Sequence, residues 1–142
     1  MPVVDASVVV DWVAPDTDAF GPARRLLDAL AGSGAQVIAP VIAPRLLLEE
    51  TANALLSGCR RGRWDGRAAD EAFTLLGTLP VDLRDERQDL DRAWELSRRY
   101  DGHPVYDMVY VALAERLGEQ LVTADEALRR RLTGLDFVVG LS

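Results

Sequence analysis

Lysine is absent from the 142 residues, so all 16 basic side chains are arginine. A Walker-type phosphate loop needs its lysine at the terminal phosphates, and a Schiff-base enzyme needs a lysine amine. Both classes are excluded. Cysteine occurs once, at Cys59, and histidine once, at His103. An internal disulfide is impossible, and a Cys/His zinc site has too few ligands. No run of about 18 apolar residues is present, and the first residues lack a basic segment followed by an apolar stretch. The expectation is a reduced, cytoplasmic protein with no membrane span. The formal charge of −7 argues against a general coat for polyanions, because non-specific binding to phosphates rests on cations. It leaves open a site in which clustered acids hold a divalent cation, since the ion restores positive charge locally.

Hydrophobic residues make up 49% and charged residues 27%, a globular balance, and the length suits one domain spanning 1–142. Short apolar runs at Val3-Val4, Gln36 to Ala39, Val81 to Leu83, Leu121 to Thr123 and Phe137 to Val139 read as strands. Between them, apolar residues recur at helical spacing over Ser7–Val13, Pro22–Leu30, Arg45–Arg61, Asp65–Leu79, Asp89–Tyr100, Asp107–Leu117 and Ala127–Leu132. Alternation of short strands with helices predicts an α/β fold with a mostly parallel sheet. Ligands of such sheets bind beyond the carboxyl ends of the strands, where the strand order reverses.

Four acids stand out by position. Asp5 follows the first strand, Glu50 lies within the third helix, Asp107 opens a helix, and Asp125 follows Thr123-Ala124. Asp is a favoured helix N-cap, so Asp5, Asp107 and Asp125 each admit a purely structural reading, and Glu50 alone reads as a solvated helix residue. Taken together, Asp5 and Asp125 share one sheet edge if their strands are neighbours. Carboxylates gathered there repel one another unless a divalent cation binds them, and Mg²⁺ or Mn²⁺ prefers such hard oxygen donors.

The segments Val3-Val4-Asp5-Ala6-Ser7, Glu50-Thr51-Ala52-Asn53-Ala54-Leu55, Tyr106-Asp107-Met108-Val109-Tyr110-Val111-Ala112-Leu113-Ala114 and Leu121-Val122-Thr123-Ala124-Asp125 resemble, in order and spacing, PIN-domain ribonucleases of the VapC toxin type. The resemblance implies a three-layer α/β/α domain with Asp5, Glu50, Asp107 and Asp125 as catalytic metal ligands for Mg²⁺ or Mn²⁺. It also implies RNA cleavage, a small antitoxin partner and a homodimer. Ser7 and Thr123 match positions where the family carries hydroxyls beside the metal, and Asn53 shares the helical face of Glu50. Glu49 adjoins Glu50, but the Glu-x-x-Asn-Ala-Leu spacing selects Glu50, and adjacent helical residues point in different directions.

Other residues read more plainly. His103 sits in a Gly-Pro loop without a nucleophile partner, and Cys59 and the three tryptophans read as packing groups. Asp11 reads as a solvated or supporting acid outside the family pattern. Asp82, Asp85, Glu86, Asp89 and Asp91 read as a solvated face at a helix start. Arg60-Arg61-Gly62-Arg63 and Arg129-Arg130-Arg131 suit either RNA phosphates or the helix dipole. Two further functions stand beside the nuclease. One is a PIN-fold module that binds RNA or protein with weak or no nuclease activity. The other is aspartyl-phosphate chemistry, which the missing lysine and Ser7 in place of a second Asp disfavour.

Overall fold

The computed structural model describes residues 1–31 and 40–141. The elements run β1 (Val3–Val4), α1 (Ala6–Val13), α2 (Pro22–Ala31), β2 (Val41–Pro44), α3 (Leu47–Arg60), α4 (Gly66–Leu76), β3 (Val81–Arg84), α5 (Arg87–Arg99), α6 (Val105–Leu117), β4 (Leu121–Thr123), α7 (Glu126–Arg131) and β5 (Val138–Gly140). The strands form one parallel sheet in the order β3-β2-β1-β4-β5. Successive strands are added on one side from β1 through β2 to β3, and then on the other side through β4 to β5. The reversal therefore falls between β1 and β4, where Val3 pairs with Leu121 and Val4 with Val122.

Val3, Val4, Leu121 and Ala43 are fully buried because helices cover both faces of the sheet. Helix α6 packs on β1, β2 and β4, with α5 against its outer side, while α1 packs with α2, α3 and α4. The result is the three-layer α/β/α arrangement expected from the sequence. Helix α6 buries Met108, Tyr110, Val111, Ala112, Leu113 and Ala114, nearly its whole circumference, as befits a helix between the sheet and α5. Two indoles are anchored inside: Trp12 donates to the Ala23 carbonyl at 2.7 Å and Trp64 to the Leu55 carbonyl at 2.9 Å. Trp64 lies so close to Gly58 that a β-carbon there would run into the ring, so α3 carries a glycine where α4 approaches. Trp94, by contrast, is exposed on α5.

The expected strand over 36–39 lies outside the described residues. The strand between β1 and β3 is Val41–Pro44, a stretch that its two flanking prolines, Pro40 and Pro44, make look like a loop. Pro44 is tolerated because it is the last strand residue, and the adjoining amide, that of Arg45, donates to the Arg84 carbonyl at 2.8 Å. The acidic run before α5 is also not uniformly solvated. Asp89 is buried and accepts two hydrogen bonds from the Arg116 guanidinium, at 2.7 and 2.9 Å, which ties α5 to α6. A charge-assisted fork of this kind is what allows a carboxylate to leave water.

Candidate active site

The carboxyl edge of the sheet at the β1–β4 reversal is where the acids gather. Asp5 follows β1 directly and is the N-cap of α1, with 8% exposure. Its Oδ1 accepts from the amides of Ser7 at 3.1 Å and Val8 at 3.4 Å and from the Ser7 hydroxyl at 2.5 Å. Its Oδ2 accepts from the Thr123 hydroxyl at 2.5 Å, across the β1–β4 pair. Ser7 Oγ in turn accepts from the Ala124 amide at 2.9 Å, and Thr123 Oγ1 from the Asp125 amide at 3.0 Å. The two hydroxyls lie 3.3 Å apart. Ser7 and Thr123 thus lock the Asp5 carboxylate in one orientation and join the starts of α1 and α7.

Glu50 is partly buried in the first turn of α3, and Asp107 lies in the first turn of α6. Helix α6 begins two residues before Asp107, with Pro104 at its cap position, so Asp107 is not a cap and its carboxylate faces other groups. Burial pushes the Asp5 carboxyl above its ordinary value against the pull of its hydrogen bonds, and the charge of Asp107 adds to the rise. Glu50 is also raised, by burial first and then by Asp107 and Asp5, while Tyr110 acts in the opposite sense. The charge of Asp107 thus reaches both Asp5 and Glu50, and that of Asp5 reaches Glu50, although the three come from β1, α3 and α6.

Asp125 is exposed, and its Oδ1 caps α7 by accepting from the Leu128 amide at 3.1 Å. Its link to the others runs through Thr123. Asn53 is exposed one turn beyond Glu50 on α3. Glu49 is turned away: it pairs with Arg45 at 2.6 Å and lines a groove of about 460 Å³ between α3 and α4, with Leu48, Ala52 and Phe73. Asp11 lies one helical turn outside the acids, in a separate depression with Asp16 and Arg63.

Two residues that sequence reasoning left aside belong to this edge. His103 Nε2 lies 2.6 Å from Asp107 Oδ2, and since an ionised carboxylate only accepts, the imidazole donates. The loop that delivers it has left-handed backbone at Asp101 (φ 59) and Gly102 (φ 73). The only hint in the sequence is the four-residue spacing from His103 to Asp107. Tyr110, one turn beyond Asp107, buries its hydroxyl beside Glu50, near enough to act on that carboxylate as a donor but outside full hydrogen-bond geometry. Its phenol is raised by burial first, then by Glu50, Asp5 and Asp107.

The donor set suits a hard divalent cation by its chemistry, with carboxylates that raise one another's proton affinity for want of positive charge. Among the described residues no three His, Cys, Asp or Glu side chains are gathered closely enough to form a ready-made cage. The set therefore fits a cation that retains much of its water and takes only one or two carboxylates directly, as Mg²⁺ commonly does.

A parallel α/β/α layer protein with an acidic edge at its topological switch point is the class that fold and site define. The sequence profile of the PIN domain matches residues 3–131, and the chain belongs to that family. Similar solved structures include a toxin–antitoxin complex from Klebsiella pneumoniae (TM-score 0.63, 16% identity, 98% of this chain and 96% of that one). VapC20 of Mycobacterium tuberculosis, titled a sarcin-ricin loop cleaving toxin, superposes with TM-score 0.67 at 23% identity, over 97% of this chain and 98% of that one. PAE2754 of Pyrobaculum aerophilum gives TM-score 0.69 at 21% identity, over 97% and 87% of the two chains. No curated protein sequence matches.

Proposed function

We propose that this chain is a metal-dependent endoribonuclease and the toxin of a toxin–antitoxin pair, with Asp5, Glu50, Asp107 and Asp125 as its catalytic acids. The observation that carries the reading is the convergence at the switch point of Asp5 and Glu50, both raised by burial first, with the charge of Asp107 adding to each. A purely structural N-cap has no use for two further carboxylates beside it. The solved relatives described as a sarcin-ricin loop cleaving toxin and as a toxin–antitoxin complex supply the RNA substrate and the antitoxin partner of the proposal.

In this reading Asp5, Glu50, Asp107 and Asp125 would hold the ion, one or two of them directly and the others through its water. Mg²⁺ or Mn²⁺, when bound, supplies an acidified water and neutralises charge developing on the scissile phosphate. Ser7 and Thr123 fix the orientation of the Asp5 carboxylate. His103 restrains Asp107 through Oδ2. Asp125 aligns the start of α7, while Asn53 offers an exposed amide near Glu50. The antitoxin keeps the nuclease silent, and the toxin acts as a cytoplasmic homodimer. No described helix is long and apolar enough to cross a membrane.

The test is incubation of total RNA with purified, antitoxin-free protein in Mg²⁺, in Mn²⁺ and in EDTA, beside Asp5→Asn. Discrete metal-dependent products that the variant fails to make are the expected result. A second reading, a PIN-fold module that binds RNA or protein without cutting, is favoured by the full engagement of the Asp5 carboxylate in hydrogen bonds. Absence of cleavage by the folded protein in both metals would select it.

A further inference from the structure

Three buried side-chain oxygens among the described residues lack a hydrogen-bond partner: those of Thr51, Ser97 and Tyr110. Of these, the Tyr110 hydroxyl is the one set beside a carboxylate: it acts on Glu50 as a hydrogen-bond donor and pulls its pKa down, yet it stays outside full hydrogen-bond geometry. Tyr110 is also among the largest fully buried side chains, at 1% exposure, so its ring is clamped and its hydroxyl cannot turn to solvent. Phenylalanine would fill the same space. A phenol left unpaired in the interior is destabilising, so the hydroxyl calls for another explanation than packing.

We propose that Tyr110 is a positioning residue for Glu50, its hydroxyl donating to that carboxylate when a divalent cation draws the acids together. The inference rests on the nuclease reading of this edge and adds to it a residue that is neither an acid nor a metal ligand. A phenol is protonated at neutral pH and a carboxylate only accepts, so the polarity of the contact is fixed. Tyr110 and Asp107 are three residues apart on α6 and so share a face. The helix that brings Asp107 to the edge therefore also brings the donor that steadies Glu50 of α3. Among the described residues Glu50 has no hydrogen bond to any other side chain that would do this, whereas Asp5 has Ser7 and Thr123 and Asp107 has His103. Each of the three acids then has its own neutral or cationic restraint.

The experiment uses Mn²⁺ alone as the probe, with binding followed by the loss of free-ion paramagnetic resonance signal and unfolding followed by circular dichroism with and without the ion. Tyr110→Phe is expected to leave the metal-free Tm equal or higher, to weaken Mn²⁺ binding about tenfold, and to have no further effect on binding in a Glu50→Gln background. Wild-type Mn²⁺ affinity in Tyr110→Phe would overturn the proposal and leave the nuclease reading standing. So would a binding loss equally large in the Glu50→Gln background, or a lower metal-free Tm, which would make the hydroxyl a structural group. Failure of the wild-type protein itself to bind Mn²⁺ would overturn the nuclease reading and the Tyr110 proposal together.

Discussion

The Thr123 hydroxyl at the end of β4 donates to the Asp5 carboxylate at the end of β1, 2.5 Å across two neighbouring parallel strands and 118 residues apart in the chain. Together with Ser7 on the other oxygen, it leaves that carboxylate little freedom to rotate. Removing the hydroxyl should loosen Asp5 without touching the acid itself. Thr123→Val is expected to lower cleavage by about 10 to 100 fold, and Thr123→Ser to retain most of it. Cleavage rates of the two variants, with circular dichroism to establish folding, check this. Equal rates in Thr123→Val and wild type would remove the positioning role.

Glu50 and Asp5 both have carboxyl groups raised in the folded state. Between the ordinary carboxylate range and the raised folded values, the folded protein binds more protons than the unfolded chain. These two groups therefore contribute stability at low pH that is lost as pH rises through their folded values. Glu50→Gln has no such loss, so its metal-free Tm relative to wild type should climb from pH 4 toward pH 7. A divalent cation should reverse the trend for wild type, because it favours the charged carboxylates. Thermal melts across pH in EDTA and in Mn²⁺ read both signs. Glu49→Gln is the control, expected to cleave RNA as wild type does, since Glu49 faces the α3–α4 groove and pairs with Arg45.

Asp89 and Arg116 tie α5 to α6 at the other end of the helix that carries Asp107. Breaking a buried charge pair strands its partner, at a cost of about 3 kcal/mol. Asp89→Asn is expected to lower stability by about that amount in urea unfolding while cleavage per folded molecule stays the same. An unchanged midpoint would show that the arginine finds Glu86, 3.3 Å away, an adequate substitute.

The layered architecture was legible because its strands and helices alternate with clear periods. Val3-Val4 and Leu121 to Thr123 read as buried strands and prove to be neighbours. The strand Val41–Pro44 was not legible, because proline at its end is the local mark of a loop and only pairing with β1 and β3 overrides it. Asp89 looked solvated because its partner is 27 residues away on another helix. His103 and Tyr110 were passed over for the same kind of reason. The four-residue spacing from His103 to Asp107 is the one trace of the first contact in the chain, and the meeting of Tyr110 with Glu50, 60 residues earlier, leaves none. Asp5, Asp107 and Asp125 are visible because each falls at an element boundary, whereas Glu50, inside its helix, joins them only through the resemblance of the Glu-x-x-Asn-Ala-Leu segment.

The order β3-β2-β1-β4-β5 has a consequence for synthesis of the chain. A nascent polypeptide folded only through α6, which ends at Leu117, already contains Asp5, Glu50 and Asp107. It has no β4 to pair with β1, no Thr123 to hold Asp5, and β1 is left as an open edge. The acidic edge is completed only when nearly the last strand is added beside the first, so a truncated chain should be inert while the finished one is not. For a protein proposed to cut RNA, this order defers the hazard until the whole domain has left the ribosome.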